Sequence, residues 1–479
     1  MPNALAYLML AIWPLVTIVL FRRLTTERAL IWSMLLGYLF LPPVAALDLP
    51  GMPGLDKHAM AVIPAFVCAI AIYGLRGWAP QSRIARILVV FFILSPIVTV
   101  VTNREPIMFA IGGLPGLQPY DVLSSIAYQL IAIIPLLLGR KLLAGPDAPR
   151  LLLVALAVGG LIYSLPILFE SRMSPQLNRM VYGFFQHDFS QAIRFDGFRP
   201  FVFLQHGLWV AFFALTSFVA ALAIARQAEP ATRARWLFAS FYLAVIVLFC
   251  RSLGPVIYAV ALLPMVLFLG PRTQLRIAVV FALIVVAYPI LRGTDLVPVN
   301  WIVEQAQRVD YDRAASLKFR FDHEQMLLDH ARQKPFFGWG SWGRNLVYDY
   351  YSGRSLTVSD GRWVIIIGIT GWLGYIAEFG LLSLPLIVLW RRAKRGRIAE
   401  LPILIGPLAL ILAVNMVDLL PNATLIPFTW LIAGSMLGFA EQFARSGNVA
   451  EDEKPVAAKW GARPAAQPKN RPLPRPTSI

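Results

Sequence analysis

Charge is the first thing this sequence is short of. Only 14% of its 479 residues are Asp, Glu, Lys or Arg, against about a quarter in soluble globular domains, which excludes an ordinary water-soluble fold. Cysteine is scarce as well. Cys68 and Cys250 each sit inside an apolar run, which argues against a disulfide framework and for simple packing. There is no HExxH pair, no Cys/His ligand spacing and no GxxxxGK[ST] loop. Neither a metal cofactor nor a soluble nucleotide donor is therefore expected.

What the chain has instead is a succession of apolar runs, such as "ALAYLMLAIWPLVTIVLF" (4–21) and "LPILIGPLALILAVNMVDLL" (401–420). A helix needs about 20 apolar residues to cross a bilayer, and these are long enough. Thirteen spans are expected, at 4–21, 29–47, 59–75, 87–102, 121–139, 151–169, 201–225, 236–250, 252–270, 277–292, 363–390, 402–419 and 424–440. The predicted fold is all-α, a polytopic transmembrane helical bundle of about 12–13 spans. Residues 1–440 make up the transmembrane domain, with a large, partly helical outer loop at 293–362. Residues 441–479, rich in Pro and charge, read as a disordered cytoplasmic tail.

Lys and Arg placement predicts orientation. Short connections such as "FRRLTTER", "RGWAPQSRIAR", "RQAEPATRAR" and "RRAKRGR", together with the tail, carry most of the 43 basic residues. That places the amino terminus outside and the carboxyl terminus in the cytoplasm. Basic loops facing anionic membrane lipids account for most of the net charge of +17, and no nucleic-acid partner is called for. The remaining basic residues are mostly Arg and fall in two outer loops, 170–200 and 293–362. Topology does not require them there.

The first of these loops carries Arg172, Arg179, Arg194 and Arg199, with His187 and Asp196 nearby. The second contains "DRAASLKFRFDHEQMLLDHARQKPFFGWGSWG", read as a helix stopped by Pro335 and followed by a glycine-rich turn. On that helix Arg320 and Glu324 are spaced to pair at i, i+4, and His323 lies on the adjacent face. Trp339 and Trp342 are either interfacial belt residues or platforms for sugar rings. Arg251 stands between two apolar runs, where a lone Arg costs about 2.5–3.5 kcal/mol and calls for an interior partner. His206 and Asp418 are further polar groups inside apolar runs. Asp360 and Arg362 stand directly before a long span. Asp360 is either the cap of that helix or a carboxylate that receives the acceptor's proton, and His323 competes for the second role.

Several guanidinium groups gathered at a membrane surface suit a lipid-linked diphosphate. They bind phosphate oxygens in pairs, stay charged at any pH, and can stabilise departing charge without a metal. Four pieces, in order, carry a family resemblance: "GFRPFVFLQHG", "CRSLGPVIYAVAL", "FRFDHEQMLLDHARQKPFFGWGSWG" and "SDGRWVIIIGITGWLGYIAEFGLL". Spans 7 to 11 resemble the O-antigen polymerase and O-antigen ligase superfamily of membrane glycosyltransferases. The resemblance implies a fold of the GT-C kind in the bacterial inner membrane, with a periplasmic site and an undecaprenyl-diphosphate-linked glycan as donor. It implies that Arg199, Arg251 and Arg320 hold the diphosphate; the residues themselves suggest Arg194 and Arg362 in support and Asp360 or His323 serving the acceptor hydroxyl. Ligases of the superfamily place a His just before the eleventh span, where this chain reads "SDGRW", and that fits polymerase-like branches better.

The expected function is a polysaccharide polymerase of the O-antigen or exopolysaccharide type. Its partners would be the lipid-linked glycan, membrane lipids and other polysaccharide assembly proteins. A ligase moving glycan to lipid A core is the near alternative. A transporter or flippase for lipid-linked glycan is the distant one, and would place its polar site near the bilayer midplane.

Overall fold

The computed structural model describes residues 1–48, 54–194, 197–394 and 401–452. In chain order its helices are α1 (Ala4–Arg23), α2 (Thr26–Phe40), α3 (Lys57–Tyr73), α4 (Arg83–Val101), α5 (Pro119–Leu142), α6 (Ala148–Met173), α7 (Leu177–Tyr182), α8 (Gly207–Gln227), α9 (Pro230–Phe249), α10 (Leu253–Phe268), α11 (Pro271–Gly293), α12 (Val299–Val309), α13 (Tyr311–Arg332), α14 (Arg362–Lys394), α15 (Ile405–Asp418) and α16 (Pro427–Asp452). Among the described residues the only strands are two hairpins of two residues a side, β1 (Ile107–Met108) with β2 (Gly113–Leu114) and β3 (Ile193–Arg194) with β4 (Gly197–Phe198). The fold is all-α, and eight helices are long and apolar enough to cross a membrane. Three shorter apolar helices, α3, α10 and α15, complete much of the bundle.

Each expected span falls on one of these helices, with two informative shifts at the ends. The span expected at 29–47 stops at Phe40, and that expected at 201–225 begins only at Gly207. Residues 201–206 form a buried irregular segment instead, for a reason given below. The helix expected in the large outer loop is α13, preceded by a second helix, α12, that the pattern did not suggest. The expected tail begins later than residue 441, because α16 runs to Asp452; residues 453–479 lie outside the described residues.

Hydrogen bonds sort the helix ends into two sets. At one end Asn3 before α1 binds the Tyr182 carbonyl, the Tyr182 hydroxyl donates to Phe40 O, and Lys57 of α3 donates to Phe203 O. Lys334 donates to Thr102 O beyond α4, and the Arg362 amide donates to Leu419 O beyond α15. At the other end Arg140 of α5 meets Glu441 of α16 at 2.7 Å and also binds Gly77 O and Trp78 O. Arg226 of α8 donates to Val266 O and Leu269 O of α10 and its end. Consecutive connections therefore alternate between two ends. The short basic connections collect at the second end, and the two long loops at the first.

Helix α14 is broken. Gly371 sits at φ 67°, ψ −164°, and the segment 335–340 fills the break. Trp339 N donates to Gly368 O (2.7 Å), Gly340 N to Ile369 O (2.9 Å) and Trp372 N to Pro335 O (2.8 Å). The backbone groups freed by the break are thus paired inside protein, which non-helical backbone at membrane depth requires. Added Cβ atoms show how close the contact is. One on Gly371 would lie 2.3 Å from the Phe336 carbonyl carbon, and one on Gly338 2.5 Å from that of Ile369.

Candidate functional site

The site begins with a lone carboxylate. Glu170, 1% exposed near the end of α6, accepts the amide N–H groups of Leu177 (2.8 Å), Phe201 (2.8 Å) and Val202 (2.7 Å). The Tyr163 hydroxyl accepts from Phe203 N, Lys57 Nζ donates to Phe203 O, and Gln186 Nε2 donates to Val202 O and Leu204 O. These partners let residues 201–206 stay irregular while buried, because an unpaired buried amide costs about 1–3 kcal/mol. They also fix the residue just before Pro200, which is Arg199.

Arg199 is 8% exposed, and its backbone N–H binds Ala192 O at 2.7 Å. Its Nη2 reaches Arg251 O at 3.4 Å, and its Nε has no partner among the described residues. Arg251 occupies the tight turn between α9 and α10 at φ 49°, and its Nη1 donates to Arg194 O at 2.9 Å. Arg194, on β3, donates to Gln191 Oε1 at 3.1 Å. Two glycines make room for these side chains. A Cβ on Gly207 would lie 2.3 Å from Arg199 Cδ, and one on Gly197 2.4 Å from Arg251 Nη2.

Arg320 reaches the same place from α13. Its Nε lies 3.4 Å from Asp360 Oδ2 and its Nη1 3.4 Å from Pro421 O, in the turn between α15 and α16. Burial, followed by the charges of Arg194 and Arg320, lowers the Arg199 pKa to about 10. Arg199 remains a cation at neutral pH, held close to like charges. Among the described residues no carboxylate forms an ion pair with Arg194, Arg199 or Arg251. Asp196, expected nearby, lies outside the described residues. Among the described residues the cluster carries surplus positive charge with guanidinium donors to spare, which is the condition for holding a multivalent anion.

The structure brings four of the expected residues, Arg194, Arg199, Arg251 and Arg320, to one place, with Asp360 at its edge. Two others have different duties. Arg362 gives two of its N–H groups to the two oxygens of the fully buried Glu378, at 2.7 and 2.6 Å, and so braces α14. His323 stacks on Phe319 at 3.9 Å between ring centroids, and its Nδ1 accepts the Val358 N–H at 3.0 Å. Through that bond His323 steadies the chain leading to Asp360.

Two further expectations give way. Arg320 does not pair with Glu324: Glu324 binds Arg292 Nε at 3.0 Å and the Tyr288 hydroxyl at 3.2 Å, which turns Arg320 towards Asp360. Asp360 does not cap α14: the first turn closes on Gly361 O, which accepts Ile365 N, and the Asp360 carboxylate is spent on Arg320. Asp418 closes α15. It is 3% exposed and accepts from Thr424 Oγ1 (2.7 Å) and Asn422 Nδ2 (2.9 Å), which shapes the turn that offers Pro421 O to Arg320. His206 caps α8 by accepting Leu208 N.

Glu170, Gly197, Gly207 and Glu378 escaped the sequence reading. Glu170 and Glu378 had a signal, each being a carboxylate inside an otherwise apolar run, where a partner is obligatory. The run "GWGSWG" (338–343) has the glycine spacing of a dinucleotide-binding turn, but here it follows helix α13 and plugs α14, so it is no such site. No model of a known family matches the chain, and no curated protein matches it either.

Proposed function

We propose that this protein is an integral membrane polysaccharide polymerase. It transfers a glycan from an undecaprenyl-diphosphate donor to a lipid-linked repeat-unit acceptor on the periplasmic side of a bacterial inner membrane. The observation that carries this reading is the cluster of Arg194, Arg199, Arg251 and Arg320, drawn from three separate segments, in which, among the described residues, Asp360 is the one carboxylate ion-paired with any of the four. Its place at the end of the bundle opposite the basic connections is where the headgroup of a lipid-linked substrate would lie.

In the proposed reaction an acceptor hydroxyl oxygen attacks the anomeric carbon of the donor sugar. The bond from that carbon to the phosphate oxygen breaks, and its electron pair leaves with undecaprenyl diphosphate. Arg199 and Arg251 take up the charge growing on the leaving group, a role in which one lost donor costs about 10²–10³ in rate. Arg320 orients Asp360, a carboxylate at the cluster's edge, for the hydroxyl proton.

The test is glycan length in a strain lacking the gene and complemented with variants. Arg199→Ala and Arg251→Ala should leave single repeats on the final acceptor, as the deletion does. Long chains stranded on undecaprenyl diphosphate would replace the polymerase reading with a ligase. Unaltered product from both variants would dismiss the arginine cluster as a catalytic site.

A further inference from the structure

The two tryptophans of "GWGSWG" have opposite fates. Trp339 is consumed: its ring stacks on His330 at 4.3 Å and 7°, Lys334 lies 4.5 Å over it, and its Nε1 donates to His330 O. Trp342 is 60% exposed although its backbone sits in the left-handed region at φ 63°. Side chains are rarely held there, at a cost of about 1–3 kcal/mol, unless the surroundings enforce it, and such positions gather at functional sites.

Trp342 borders an open cavity of about 440 Å³, within the roughly 300–1,000 Å³ range of small-molecule sites. The opposite wall is the turn 114–118 with Tyr120 and Asp121 at the start of α5. Arg344 holds the walls together. It is 1% exposed, and its guanidinium donates to Trp339 O (3.1 Å), Pro115 O (2.8 Å) and Glu105 O (3.0 Å). Arg344 also lines the cavity, with its guanidinium engaged by these three backbone carbonyls. Asp121 Oδ2 accepts the backbone N–H of Gln118 at 2.7 Å, the Gln118 side chain is exposed, and Tyr120 is 54% exposed. The cavity thus pairs exposed aromatic faces with an acidic and an amide group.

That is the chemistry of a carbohydrate site. Pyranose rings present C–H faces to aromatic planes while their hydroxyls seek carboxylate, amide and phenol partners. We infer that the cavity between the 114–121 segment and Trp342 is a saccharide-binding subsite, which stacks an uncharged sugar ring on the indole of Trp342 and binds its hydroxyls through Tyr120, Asp121 and Gln118. The inference rests on the polymerase reading for its role: the subsite would hold sugars of the glycan away from the diphosphate.

The test uses the full chain in nanodiscs on an immobilised panel of uncharged bacterial oligosaccharides. The wild-type protein should bind a subset of them. Trp342→Ala should weaken that binding at least tenfold, Trp342→Phe should keep part of it, and Gly254→Ala, in α10, should leave it unchanged. Retained folding of Trp342→Ala is checked by its melting temperature. Binding that survives Trp342→Ala, or no binding to any oligosaccharide, overturns the subsite. The polymerase reading is judged separately, by glycan length in the Arg199→Ala strain: sugar binding with unaltered glycan length would keep the subsite and dismiss the polymerase.

Discussion

Guanidinium groups are costly to assemble, and the space that Gly207 leaves for Arg199 shows how tightly the position is specified. The Arg199 Cδ lies where a Gly207 Cβ would need to be, 2.3 Å away. Gly207 has an ordinary helical backbone at the start of α8, so alanine there strains no dihedral; its Cβ would displace the Arg199 side chain and make a tight 3.0 Å contact with Pro200 O. Gly207→Ala should therefore abolish long-chain glycan, as Arg199→Ala does, while its melting temperature in detergent stays within a few degrees of wild type. A large fall in melting temperature with normal product would mean that Gly207 serves packing and not Arg199. Arginine is also specified by geometry: lysine has no fork for paired phosphate oxygens and could not span from Arg251 O to a substrate.

At the scale of the element the informative feature is the interlock of segment 335–340 with the broken helix α14. Gly371→Ala would combine a left-handed backbone, worth about 1–3 kcal/mol, with a 2.3 Å approach to the Phe336 backbone. It should lower the melting temperature markedly. Gly254→Ala in α10, whose Cβ would meet only the Tyr258 ring at 3.9 Å, should not. Equal behaviour of the two would show that the interlock adds no stability. The sequence disclosed the helix and the glycines but not the break, because "WVIIIGITGWLGYIA" is apolar throughout and the partner segment lies some thirty residues earlier. The site was legible to the same degree. Arg194, Arg199, Arg251 and Arg320 stood out as charges with no topological reason to be there. Their partners did not, since whether Arg320 faces Glu324 or Asp360 depends on Arg292, which a helical wheel of α13 does not contain. The irregular stretch 201–206 was hidden for a similar reason: "FVFLQH" continues the apolar run of α8, and only the contacts of Glu170, Tyr163 and Lys57 keep it out of the helix.

For the whole molecule the governing asymmetry is between the two ends of the bundle. One end carries the short connections, rich in Lys and Arg, and is closed by buried contacts such as Arg140 with Glu441. The other carries the arginine cluster, the aromatic cavity and the two long loops. If the basic end faces the cytoplasm, every candidate group for glycan chemistry faces outward, to the side where lipid-linked sugars are assembled into chains. The opposite orientation would leave both the cluster and the cavity without such substrates. Single cysteines decide the matter in a Cys68→Ser background, with Cys250 left in place because it is wholly buried and out of reach of the reagent. Tyr351→Cys, at an exposed position between α13 and α14, should react with a membrane-impermeant maleimide added to spheroplasts. Ala231→Cys, at the start of α9, should react only after the membrane is opened. The reverse pattern would turn the arginine cluster towards the cytoplasm and remove the physical basis for polymerisation at the outer face.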